Sequence, residues 1–242
     1  LLILSTACGQ NATSESPTID DTDTVDLPST DQGRPGFQLR TADIEHPMVK
    51  GTVVDRKCWI DRSGTWCCVW TETVDIPNEF AEFRLYKFKE DSIRGFQLGH
   101  LYLDSMSCGE ADIVAHSDTK QLIITDINKD EIGEVTFAYT LSCTYDISPQ
   151  RRVLVVNLDT TVYRLVGYTL DYGAPVPDTN DLNLEQYPKD EAGFWFEPTT
   201  AGRYTNDNDF ESLPDIFLIH AKYVWLDILK REYHEKQKEM ND

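Results

Sequence analysis

Residues 126 to 134 read Asp-Ile-Asn-Lys-Asp-Glu-Ile-Gly-Glu. Asp126, Asn128 and Asp130 alternate, and Glu134 follows four residues later. Side-chain oxygens at positions 1, 3, 5 and 9, with a backbone carbonyl near position 7 from Ile132, are the ligand set with which a compact loop wraps calcium, a hard cation that takes about six to eight oxygens. Carboxylates brought within a few ångströms of one another repel strongly unless a cation lies between them. Two residues depart from an EF-hand loop: Glu131 stands where Gly usually makes the sharp turn, and Phe137 stands where a bidentate Glu closes the site. The spacing therefore predicts a weak structural calcium site, with a Kd of about 10⁻⁴–10⁻³ M. The same residues in an acidic turn held by Asx hydrogen bonds are the alternative.

Cysteine offers a second chemistry. The sequence holds six: Cys8, Cys58, Cys67, Cys68, Cys108 and Cys143. If Cys8 is acylated, five remain, an odd number in an oxidising compartment. Thr52 to Ile60 and Thr65 to Val74 flank Asp61-Arg62-Ser63-Gly64, a hairpin turn with Gly available for positive φ. Pairing Ile60 with Thr65 sets Cys58 opposite Cys67, within disulfide reach; a bulge at Gly64 sets it opposite Cys68 instead. Cys108 and Cys143 are then left to pair, and one thiol stays free. Five buried thiols are the alternative.

The same register puts Trp59 opposite Trp66, with Trp70 further along on the same side. Three Trp on one face could stack sugar rings as a glycan platform, or form the buried face of a sheet. There is no P-loop, no dinucleotide fingerprint, no H-E-x-x-H, no nucleophile elbow and no C-x-x-C. The five His residues show no metal-ligand spacing. Among so many acids, spacing singles out no pair for glycoside hydrolysis.

Short segments rich in Val, Ile, Tyr, Phe, Trp and Thr must position these residues. Besides the hairpin they are Glu82–Phe88, Phe96–Leu103, Asp112–Ala115, Gln121–Ile127, Glu134–Leu141, Arg152–Leu158 and Val162–Thr169. Their short connections predict antiparallel pairing. Residues 171–209 predict a long ordered loop pinned by Phe194-Trp195-Phe196. Ser212-Leu213-Pro214-Asp215 resembles a helix start. Leu213, Phe217, Val224 and Ile228 fall on one stripe beyond it, widened by Ile216, Ile219 and Tyr223, and the tail from Lys230 is expected to fray. The fold class is thus mainly β (β-rich α+β): antiparallel sheets with one C-terminal packing helix, in a single domain over 46–242.

Ahead of that domain the chain opens Leu-Leu-Ile-Leu-Ser-Thr-Ala-Cys. Residues 1–8 resemble a signal-peptide remnant ending in the lipobox of bacterial lipoproteins, with Cys8 as the acylated residue and Ser5 as a departure. Residues 9–45 are rich in Ser, Thr, Asp, Pro and Gln and predict a disordered acidic tether. Lys plus Arg is 22 against 42 Asp plus Glu, a net charge of −20 in 242 residues. That balance argues against nucleic acid and against direct adhesion to anionic lipid, so the acyl chains are the expected membrane contact.

The acidic loop also carries a resemblance. Asp126-x-Asn128-x-Asp130, Glu134-Val135-Thr136-Phe137-x-Tyr139, Cys143-x-x-Asp146-x-Ser148-Pro149 and Tyr163-x-Leu165-x-Gly167 together resemble a family of Bacteroidota proteins named for surface polysaccharide biosynthesis. Trp70-Thr71-Glu72-Thr73 and Ser212-Leu213-Pro214 are similar too, so the resemblance spans most of 51 to 229. Glu131 for Gly, and Thr144-Tyr145 for a basic-polar pair, are departures. The resemblance implies an envelope role and brings no catalytic residue with it. The expectation is a non-catalytic lipoprotein of the bacterial outer membrane, on a side left open, that binds glycan or an envelope protein. The alternatives are a glycan-acting enzyme with unidentified carboxylates, or a structural partner using the 171–209 loop.

Overall fold

In the strand Gly64–Asp75, Trp66, Cys68 and Trp70 alternate with other residues, and the two-residue period of a strand turns all three to one side. That side packs against a second sheet. The computed structural model describes residues 37–40, 49–145, 148–171, 173–195 and 197–241. Cys8 with its lipobox, and the tether apart from residues 37–40, lie outside the described residues, as does Phe196.

The first sheet holds β1 (Gln38–Arg40), β2 (Thr52–Asp61), β3 (Gly64–Asp75), β4 (Phe80–Asp91) and β5 (Gly95–Ser107) in sequence order, each antiparallel to the next. The second comprises β6 (Asp112–Ser117), β7 (Ile123–Thr125), β8 (Glu134–Thr144), β9 (Arg151–Leu158), β10 (Thr161–Tyr168) and β11 (Tyr204–Asn206). Its order is β11-β10-β9-β8-β6, with β7 also on β8. The sheets share an aromatic core in which Phe83 stacks on Tyr139 and Trp70 tilts against Phe137. The other face of the second sheet is covered by a helix, α2 (Asp215–Asn241), through Leu154, Val156, Val224, Trp225 and Leu229. Strand β9 is buried on both sides, which is why Val153 to Val156 form an unbroken apolar run.

Four sequence expectations are corrected. Strand β1 lies inside the predicted tether: Phe37 is buried in the core, and Leu39 pairs with Trp59. Strand β11 and a one-turn helix, α1 (Glu197–Thr200), lie inside the predicted loop. That loop is held by buried Leu182, Leu184 and Tyr204 and by Arg203, which binds Asp181, while Phe194 is largely exposed. The helix does not fray at Lys230 but runs to Asn241, stapled by Lys236 to Glu232 and to the Leu170 carbonyl. Its buried stripe is widened by His220, Ala221 and Trp225, whereas Ile216 and Ile219 face solvent.

Cys58 sits directly opposite Cys67 and is bonded to it, with Cα atoms 4.0 Å apart. Cys108, just after β5, is bonded to Cys143 near the end of β8 and ties the two sheets together. Cys68 is buried; burial, opposed by Lys87, pushes its thiol up to about 12, which leaves it inert. Two disulfides suit an extracytoplasmic, oxidising compartment. Among the described residues no helix is long and apolar enough to cross a membrane.

His220 is buried between α2 and β8; its Nε2 lies 3.1 Å from Thr136 Oγ1 and its Nδ1 has no partner. Burial pushes its pKa down to about 4 from the ordinary 6.5. Above pH 6.5 the ring is neutral in both folded and unfolded chains. Between 6.5 and 4 only the unfolded chain gains the proton, so stability falls as pH falls through that window. Between pH 7 and pH 4.5 the wild type should lose about 2–3 kcal/mol more stability than a His220→Gln variant in urea unfolding. Equal losses would show that the folded state accepts the charge.

Candidate metal centre

Strand β7 pairs with the start of β8, Thr125 facing Glu134, and residues 126–133 close the turn between them. Within that turn, Asp130 N donates to Asn128 Oδ1 at 3.1 Å and Ile132 N donates to Asp130 Oδ1 at 2.9 Å, two successive Asx turns. Lys129 and Glu131 take left-handed conformations, with φ of 62° and 64°. Position 6 of a calcium loop requires that conformation of its Gly, so Glu131 keeps the backbone shape and loses only the easy residue.

The winding brings one carboxylate oxygen each of Asp126, Asp130 and Glu134 within 4.8 Å of one another. Asp126 Oδ2 accepts from Glu131 N, while its Oδ1 is buried without a partner. Glu134 is buried; its Oε2 accepts from Ile127 N at 3.0 Å and Thr125 Oγ1 at 3.3 Å. Burial, reinforced by Asp126 and Asp130, pushes its carboxyl up to about 8 despite those hydrogen bonds. A cation bound at this cluster would favour the ionised carboxylate and so oppose that upward shift.

The donor set fits calcium. Every donor is a hard oxygen, which suits calcium or magnesium rather than zinc. Oxygens facing each other across a calcium ion lie at most about 5 Å apart, which matches the cluster. Asn128 Oδ1 accepts from Asp130 N, and its Nδ2 donates to Asp130 Oδ2 at 3.0 Å. Beside it, Ile132 donates its N–H to Asp130 Oδ1.

Residues that the sequence did not single out hold this loop in place. Asp61, in the β2–β3 turn, is buried, and its carboxylate accepts four hydrogen bonds. These come from Trp59 Nε1 at 2.8 Å, Gly133 N at 3.1 Å, Ser63 N at 2.8 Å and Ser63 Oγ at 2.6 Å. Arg62 N donates to Glu131 O at 2.9 Å. Lys87 is buried behind them, donating to the Asp159 carbonyl at 2.9 Å, with its Nζ 4.8 Å from the Trp66 ring centre and 5.7 Å from that of Trp59. Burial lowers the Lys87 pKa; Cys68, Asp159, Asp61 and Glu134 pull it back up. Lys87 shares inward parity on β4 with Phe83 and Leu85, a signal that was available in the sequence.

Trp59, Trp66 and Trp70 are not a glycan platform. All three turn into the core and are 0%, 8% and 0% exposed, so no sugar ring reaches them. The sheet-face alternative is the one realised, because the second sheet covers that side. No family model, curated protein or solved structure is similar enough to this chain to match it.

A Cβ at Gly133 would lie 2.2 Å from Trp59 Nε1. Gly133→Ala must push the loop off the indole and should cost about 1–3 kcal/mol in urea unfolding. Unchanged stability would show that the loop and the hairpin are not locked.

Proposed function

We propose that this chain is an extracytoplasmic, non-catalytic protein of the bacterial envelope in which calcium, held by Asp126, Asp130 and Glu134, stiffens one end of a β-sandwich. The observation that carries this reading is the convergence of three carboxylates around the unpartnered Asp126 Oδ1. The loop is braced by the buried Asp61 hairpin, so bound metal would act on the rigidity of the sandwich rather than on a moving part. Anchoring comes from acylation of Cys8, and the envelope task is surface polysaccharide biosynthesis or glycan binding, in line with the sequence resemblance.

The non-catalytic part draws on electrostatics. A glycan-acting enzyme needs a carboxyl held protonated in a cleft beside a second carboxylate. Glu134 is pushed up, but it lies in a turn braced by backbone donors. In the cleft between α2 and the second sheet the buried carboxylate is Asp118. Burial opposes its ionisation, yet Arg152 and His116 outweigh that and hold it below the usual range.

Calcium in the millimolar range should raise the melting temperature relative to chelator, with a Kd of about 10⁻⁴–10⁻³ M. The Asp126→Ala/Asp130→Ala double variant should lose that shift. An equal shift in the double variant would reduce the loop to an ordinary acidic turn. Anchoring has its own test: in bacterial membranes Cys8→Ser should move the protein into a detergent-free wash, because stable retention needs at least two acyl chains. Full retention of the variant would remove the lipid anchor from the proposal.

A further inference from the structure

Helix α2 is held to the second sheet in two different ways along its length. From Phe217 to Leu229 it is held by burial: Phe217, Ala221, Val224, Trp225, Ile228 and Leu229 sit in the apolar cluster, and Trp225 Nε1 donates to the Gly202 carbonyl at 2.8 Å. From Lys230 to Met240 no side chain is buried. Among the described residues of that stretch, half-buried Tyr233 is the one hydrophobic side chain packed on the cluster. A cleft of about 380 Å³ lies between this second part and the sheet, lined there by the end of β6, by Arg152 of β9 and by Leu170.

Charge spans the gap that apolar packing leaves. Arg231 Nη1 donates to the Asp118 carbonyl at 3.3 Å, and Lys236 Nζ donates to the Leu170 carbonyl at 2.6 Å. Glu232 Oε2 lies 3.0 Å from Nη2 of Arg152, and its Oε1 lies 2.9 Å from Lys236 Nζ, so one carboxylate serves two of the three pins. Arg231, Glu232 and Lys236 are all partly exposed. Ionic pins in contact with solvent weaken as salt rises, because the screening length falls from about 10 Å at 0.1 M to about 3 Å at 1 M. Burial of apolar surface is not a charge attraction and is not screened. The two parts of one helix therefore answer differently to salt.

The closed arrangement also carries a cost of its own. Arg152 is 2% exposed, and its Nε and Nη1 have no hydrogen-bond partner. Water reaching them when the segment lifts would offset part of the lost ion pairing. Off the sheet the segment has little to keep it wound, since helices shorter than about 12–15 residues are marginal in water. We infer that residues 230–241 form a lid over the cleft, latched by Arg231, Glu232 and Lys236, which lifts and unwinds as a unit while Phe217 to Leu229 stay docked. Closed, the lid hides the Arg152 guanidinium; open, it bares it. The lid is independent of the calcium loop and of the glycan reading.

The test is amide hydrogen exchange on the full chain in about 0.1 M and about 1 M sodium chloride, read as protection relative to the unfolded rate at the same salt. The amides of 234–240 should share one protection level, below that of 221–229. Their protection should fall roughly tenfold at the higher salt, with 221–229 unmoved. Lys236→Met leaves Arg152 and Glu232 paired. It should lower protection of the same amides about tenfold at the lower salt and remove most of the salt response. Glu232→Gln should do the same where it folds. Protection that declines residue by residue toward Asn241, indifferent to Lys236→Met, would be ordinary fraying of a helix end and would overturn the lid. Protection equal to that of 221–229 would overturn it too, and protection that salt leaves unchanged would overturn the ionic latch.

Discussion

Asp61 stands where a hairpin turn would normally expose its residues, yet its carboxylate is buried at the end of the sandwich. Its oxygens accept from the β2–β3 hairpin on one side and from the acidic loop on the other. A buried carboxylate left unpaired would be expensive, so four donors have to stay in place together. Those donors are Trp59, Ser63 through two atoms, and Gly133, so one carboxylate sets the position of a core indole, a turn and the acidic loop. Trp66 joins through Ser63 Oγ, and Lys87 lies over both indoles as the nearby positive charge.

The layers follow from what each sheet has to cover. The second sheet is covered twice, by the first sheet and by α2, and its central strand is apolar throughout. The first sheet is lined by aromatic residues inside and carries mixed polar and apolar residues outside. A buried charge survives in the doubly covered sheet only at its margin, where Arg152 reaches Asp118 and Glu232. The acidic loop lies at another margin. Both polar clusters therefore occupy places where strands end and polar groups are no longer absorbed by ladder pairing.

Much of this was legible in the sequence because strands advertise themselves by parity. The hairpin register followed from the turn Asp61 to Gly64, and with it came the opposition of Cys58 to Cys67 and of Trp59 to Trp66. Asp126, Asp130 and Glu134 were legible because oxygen ligands at alternating positions have few other uses. The strands β1 and β11 were not: each is three residues long and sits among polar neighbours, too short for period two to show. The true face of α2 was hidden because Ile216 and Ile219 look more apolar than His220 and Ala221, yet tertiary contact chose the latter pair. Arg152 and Glu232 lie 80 positions apart in the chain, and no local pattern joins them.

Strand β8 has a bearing on how the two sheets could be separated. At its start the Asp61–Gly133 lock joins it to the hairpin of the first sheet, and near its end Cys143 is bonded to Cys108 just beyond β5. The sandwich is riveted at both ends of one strand. Peeling the sheets apart from an edge, like pages of a book, would have to break a rivet before it freed any side chain. Sliding one sheet over the other would have to shear the stacked Phe83, Tyr139, Trp70 and Phe137 rings all at once. The two rivets differ in kind: one is covalent and opens to reductant, the other is a hydrogen bond to a buried carboxylate. Opening either one alone leaves the other in place.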